Sequence, residues 1–201
     1  GRWEEWQEEN LRQSGNGSKQ SPINIQTAHV KPNNNPWNLL KQYLPATATL
    51  ENLGYQIEVL WSGYAGSLEI EGVIYRLQQL HWHHPAEHTL DGIRYPLELH
   101  IVHQTDDNKT AVIGVIYKLG TPDPFLERLQ NAIQEVENNE EVYLGYVDAN
   151  ETGILSYEDY YRYNGSLTTS PYTEGVIWTV IKQVRTVTKN QIDGLQKALN
   201  Q

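Results

Sequence analysis

The 201-residue chain contains no cysteine, so neither a disulfide framework nor a thiolate metal centre can form. Any metal ion has to be held by histidine, aspartate or glutamate. Basic residues are also in short supply: 15 Lys and Arg stand against 25 Asp and Glu, a formal charge of −10. That balance argues against nucleic acid or an anionic membrane as a main partner, because both select basic surfaces. No apolar run approaches the length of a bilayer span. No leader peptide is present either, but the chain opens on Gly1 rather than Met, so this absence carries no information about compartment. Phenylalanine occurs once, whereas tyrosine occurs thirteen times and tryptophan six.

What is there leans toward sheet. The aromatic, Thr- and Val-containing mix suits a pleated, half-buried surface, and the length fits one domain over residues 1–201. Residues 1–20 read as a polar arm on the body, anchored by Trp3 and Trp6, and "NPWNLLKQYLP" reads as loop. From 47 to 117 short strand-like runs follow one another: "TATLENL", "YQIEVLW", "SLEIEG", "IYRLQQLHWHH", "YPLELHIVHQ" and "TAVIGVIYKL". Gly, Pro, Asp or Asn separates most of them, the pattern of a sheet meander. Helical spacing predicts one helix in "PDPFLERLQNAIQEVEN" and a second in "TKNQIDGLQKALN", with strand-like "VIWTVIKQVRTV" ahead of the latter. The expected architecture is mainly β, with a few peripheral helices.

Six of the seven histidines fall within residues 75–104. Side chains alternate along a strand, so Gln79, His81 and His83 share one face, and Glu98, His100 and Val102 share one face of the next run. Leu80, Leu97, Leu99 and Ile101 take the opposite faces. The intervening "HPAEHTLDGIRYP" carries turn residues that return the chain antiparallel. Two neighbouring strands thus present three imidazoles together, the ligand set of a catalytic zinc site with one open position. Zinc lowers the pKa of a bound water from about 15.7 to about 7. Gln79 and Glu98, each two residues from a candidate ligand, can accept the second ring N–H of a bound histidine. His29, His84 and His103 are read as structural or surface residues, and His88 as bonded within its turn.

"SPINIQ" (21–26), "QLHWHHPAEHTLDGIRYPLELHIVHQ" (79–104) and "YYRYNGSLTTSPYTEGVIWTV" (160–180) resemble the signature regions of the α-class carbonic anhydrases, of bacterial type. The resemblance implies a central, largely antiparallel twisted β-sheet, and Zn2+ on His81, His83 and His100 with Gln79 and Glu98 behind them. It implies hydration of carbon dioxide by water to bicarbonate and a proton. Thr168 matches a threonine that orients the attacking oxygen. Glu87 matches the carboxylate to which that threonine donates, an acceptor-only partner that fixes the hydroxyl's direction. Thr169 matches a neighbour lining the bicarbonate site. Val102, Val112, Leu167, Val176 and Trp178 match the apolar wall against which carbon dioxide rests. The family also implies export to the periplasm or cell exterior, and it leaves assembly as a homodimer open. A catalytically silent relative that only binds is the alternative.

Departures from the family pattern carry their own expectations. Tyr55 stands where relatives carry a proton-shuttling histidine. A phenol with a pKa near 10 cannot relay protons at neutral pH as an imidazole near 6.5 can, so proton export should be slow. The positions of the family's usual disulfide correspond to Ser14 and Tyr172, and the family's closing "RPxQPLNGR" strand is not found, which leaves a sheet edge to be accounted for. Ser21–Pro22 and Ser170–Pro171 are expected to be cis. Finally, "DANETGILSYED" (148–159) resembles an EF-hand loop, with Asp148, Asn150, Thr152 and Asp159 as candidate Ca2+ ligands.

Overall fold

The computed structural model describes residues 2–3, 18–32 and 39–200. Its first strands are β1 (Arg2–Trp3), β2 (Asn24–Ile25), β3 (Lys31–Pro32), β4 (Leu40–Tyr43), β5 (Ala46–Asn52), β6 (Ile57–Trp61) and β7 (Gly66–Ile70). Then come β8 (Val73–His83), β9 (Thr89–Leu90), β10 (Leu97–Gln104), β11 (Thr110–Leu119) and, after helix α1 (Pro124–Glu135), β12 (Glu141–Val147). The last elements are β13 (Tyr160–Ser166), β14 (Glu174–Ile181), β15 (Arg185–Val187) and helix α2 (Lys189–Leu199).

Thirteen strands form one sheet, whose main path runs β12-β5-β6-β8-β10-β11-β14-β13-β1-β3. The pairs from β12 across to β11 are antiparallel, as the meander pattern predicts. Parallel pairings of β11 with β14 and β15, and of β1 with β13, make the sheet mixed.

Alternation places the apolar residues. Leu50, Ile57, Val59, Leu80, Leu97, Leu99 and Ile101 all enter one core cluster, which α1 and α2 cover with Phe125, Leu126, Leu129, Ile133, Ile192 and Leu195. Asp123 caps α1 by accepting from Leu126 N–H, and Thr188 with Gln191 forms a capping box on α2. The opposite face carries a second cluster built on Val112, Tyr163, Val176, Trp178 and Val180. Between Leu77 and Gln79 the pairing of β8 with β10 slips by one residue. That bulge lets Leu77 and Leu80 both face the core although they are three apart.

Two sequence expectations need correction. "NPWNLLKQYLP" is not all loop, because Leu40–Tyr43 pairs with β7 and Tyr43 packs into the core. Residues 33–38 and Trp6 lie outside the described residues, as does Ser14. Trp3 belongs to a strand, β1, that joins the sheet beside β13. Both expected cis peptide bonds are present, and His84–Pro85 is cis as well.

Candidate metal centre

β8 and β10 pair so that His100 stands directly opposite His81 and Glu98 opposite His83. Three imidazoles therefore crowd one patch of the sheet face, with ring centroids 4.6–5.4 Å apart. One nitrogen from each lies within 4.8 Å of the others. His81 and His100 are buried, and His83 is half-buried.

Acceptors behind the rings decide which nitrogens turn inward. His81 Nδ1–H donates to Gln79 Oε1 at 2.8 Å, leaving the Nε2 lone pair facing His83 Nε2 at 3.1 Å. His100 Nε2–H donates to Glu98 Oε2 at 2.6 Å, leaving Nδ1 inward, 3.8 Å from Glu87 Oε1. The same Glu87 oxygen lies 3.4 Å from His83 Nε2 and is buried without a hydrogen-bond partner. Three inward lone pairs beside an unpartnered carboxylate oxygen form a donor set that a divalent cation would satisfy.

The electrostatics agree with that donor set. Burial, followed by the neighbouring imidazoles, pushes the His81 pKa well below the ordinary range and His83 down to about 3, so both rings stay neutral. Burial alone would lower His100, but the Glu98 carboxylate against it wins and raises it. Glu98 is fully buried; His88 and His100 together overcome its desolvation and hold its carboxyl well below the usual range. Glu87 is shifted upward by burial, opposed by His100 and by a hydrogen bond from Thr168.

The network continues beyond what alternation identifies. His88 is not bonded within its turn. It is fully buried, donates from Nδ1 to Glu98 Oε2 at 2.7 Å, and places Nε2 at 2.6 Å from the Tyr163 hydroxyl. Tyr163 donates on to Ser21 Oγ, which also accepts the Ser166 N–H. Glu98 Oε1 accepts the backbone N–H groups of Glu87 and His88, tying that loop to the back of the histidine patch. Gly114, opposite His100 on β11, completes the fit, since a Cβ there would sit 3.1 Å from Glu98 Oε2. A glycine inside a strand is a recognisable sign of such close approach.

Val112, Val176 and Trp178 are buried in the second apolar cluster, with Val102 and Leu167 packed against it. The Trp178 ring meets His100 at 4.8 Å, so this cluster borders the histidines as an apolar wall. Thr168 is half-buried at Glu87, and Thr169 beside it is exposed. Tyr55 is 68% exposed and shares a cleft of about 280 Å3 with His83, His84 and Glu87. His84 thus stands at the mouth of the site, its Nδ1–H donating to Pro96 carbonyl oxygen. His29 is exposed on a short 3-10 turn, and His103 is buried in the core on the far side of β10.

The structure lends no support to the calcium reading of 148–159. Asp148 caps a 3-10 turn by accepting from Asn150 N–H, and Asn150 Oδ1 accepts from Lys41 Nζ. Thr152 is buried and donates to Ala149 carbonyl oxygen. Asp148, Asn150 and Thr152 are thus each engaged in other contacts. The carboxylates and histidines that do converge, among the described residues, are those around His100.

The family model described as eukaryotic-type carbonic anhydrase matches residues 2–201. Alpha carbonic anhydrase 4 of Arabidopsis thaliana is 46% identical over 185 residues, covering 92% of this chain and 68% of that protein. Among solved structures, dioscorin complexed with ascorbate superimposes with a TM-score of 0.84 at 38% identity, over 90% of this chain and 76% of that one. The α-carbonic anhydrase from Thermovibrio ammonificans, complexed with the inhibitor sulfanilamide, gives 0.80 at 34%, over 91% and 80%. Sequence, sheet and histidine patch agree: the chain belongs to the α-carbonic anhydrase family.

Proposed function

We propose that the chain is a zinc-dependent carbonic anhydrase that reversibly converts carbon dioxide and water to bicarbonate and a proton. The convergence of His81 Nε2, His83 Nε2 and His100 Nδ1 beside Glu87 carries this reading. Zinc bound there would supply a Lewis acid able to make a water nucleophilic at neutral pH. The chain's own residues do the rest. Gln79 and Glu98 fix the tautomers and ring orientations of His81 and His100. An ionised Glu87 can only accept, so it accepts the Thr168 O–H hydrogen bond and leaves a lone pair of the threonine oxygen free to orient the attacking water. Carbon dioxide offers little to hydrogen-bond, and the wall of Val112, Val176 and Trp178 suits it.

The rival reading, a catalytically silent binding protein of the same fold, draws on Tyr55 in place of a shuttle histidine. The intact trio, with Glu87 and Thr168 beside it, speaks against silence. The deciding experiment measures zinc content and carbon dioxide hydration for wild type and His100→Ala. One zinc per chain with buffer-dependent hydration in the wild type, and loss of both in the variant, is expected. Zinc-loaded wild type without hydration would establish the silent reading instead.

A further inference from the structure

The registers of five adjacent strand pairs line up one row of side chains across the sheet: Glu141 on β12, Glu51 on β5, Glu58 on β6, His81, His100 and Gly114. Residues directly opposite in an antiparallel pair share a face. The flanking residues Leu50, Ile57, Val59 and Leu80 all enter the helix-covered core, so this row lies on the opposite face, with the metal patch. Three carboxylates thus lead inward from the edge strand to the first histidine. Exposure falls along the way: Glu141 is exposed, Glu51 half-buried, and Glu58 only 9% exposed.

Such a row is costly, because like charges directly opposite destabilise a sheet. Among the described residues none of the three is in an ion pair. Their polar contacts are neutral: Gln56 Nε2 donates to Glu58 Oε1 at 3.1 Å, and Thr49 Oγ1 to Glu51 at 3.5 Å. Strands lie about 4.8 Å apart, so the path from Glu141 to His81 is about 14 Å long. It ends at three inward imidazole nitrogens. Clefts lined by charge of one sign concentrate the opposite ion and raise its rate of association.

We propose that Glu141, Glu51 and Glu58 form an electrostatic entry path that draws a divalent cation to His81, His83 and His100. This rests on reading the trio as a metal centre. A dication feels each carboxylate twice as strongly as a monovalent ion does. The row therefore governs how fast the metal loads, through charge rather than by ligation.

The test mixes metal-free protein with cobalt(II) alone and follows the visible absorption of the bound ion by stopped flow. His100→Ala serves as the blank for binding elsewhere, and the absence of cysteine removes thiolate competition. Glu58→Gln keeps the acceptor for Gln56 and should slow association roughly three- to tenfold at low salt. Glu58→Asp keeps the charge and should load within about twofold of wild type, which separates charge from folding. Glu127→Gln, on α1 across the sheet, removes the same net charge and should leave the rate unchanged. The Glu58→Gln defect should fade at roughly 0.5 M salt, where screening reaches within a few ångströms. Cobalt uptake at equal rates in Glu58→Gln and Glu127→Gln would overturn the entry path and leave the metal centre standing. No uptake by the wild type would overturn both.

Discussion

His88 shows how a single side chain can matter to a site it does not enter. Its ring is fully buried between Glu98 and Tyr163, and Glu98 is the acceptor that turns His100 inward. Removing the ring leaves a fully buried carboxylate short of one hydrogen-bond donor, a loss of about 1–3 kcal/mol. It also loosens the group that orients a metal ligand, which typically costs about tenfold or more in metal affinity. His88→Ala should therefore lower both the midpoint of urea unfolding and the zinc affinity measured against a competing chelator. Unchanged zinc affinity in a folded variant would show that Glu98 holds its place without His88. The sequence could not supply this role. Two residues fix the relation of Gln79 to His81 and of Glu98 to His100, and strand alternation reads such spacings directly. Tyr163 lies 75 residues from His88 and Ser21 another 142 from Tyr163, so only the folded sheet brings them together.

Elements were legible where their pattern was periodic and bounded. β5 to β8, β10, β11 and both helices fall close to their expected positions because apolar alternation or helical spacing is interrupted there by turn residues or caps. β4 was not, since "LLKQY" sits among Asn and Pro and has no alternation of its own. Its place is fixed by pairing with β7 and by Tyr43, whose hydroxyl meets His103 Nε2 at 2.7 Å inside the core. That contact joins β4 to β10, and it makes the joint sensitive to acid. Burial holds His103 down to about 4, well below the ordinary 6.5, while its Nδ1–H donates to Ala111 carbonyl oxygen. The unfolded chain therefore takes up a proton at His103 that the folded chain refuses between about pH 6.5 and pH 4, and stability falls as pH drops through that window. The span corresponds to at most about 3 kcal/mol. Urea unfolding at pH 7.5 and pH 5 should show this loss in the wild type and a smaller one in His103→Gln. Equal losses would place the acid sensitivity elsewhere.

At the scale of the molecule, the chemistry depends on traffic between a buried patch and bulk solvent. One face of the sheet is closed by two helices over a large apolar core; the other carries the histidines, an apolar wall on one flank and a row of carboxylates on the other. The histidines and the wall could be anticipated from alternation and family likeness. The carboxylate row could not, because it depends on the relative register of β12, β5, β6 and β8, which no local pattern records. Traffic in protons is the remaining demand. On the proposed function each hydration would leave one proton to be passed outward, and Tyr55 lies at the cleft shared by His83 and Glu87. Tyrosine offers no imidazole, the side chain suited to take up and release a proton near neutrality. In weak buffer the wild type should therefore turn over slowly and accelerate as imidazole is added. Tyr55→His should raise turnover in weak buffer by about tenfold or more, within the range of a positioned acid–base group, and should flatten the response to imidazole. At saturating imidazole the two proteins should converge, because the substitution alters the exit of the proton and not the hydration itself. Rapid, buffer-indifferent turnover in the wild type would mean that another group already carries the proton, and His84, exposed in the same cleft, is the first to replace.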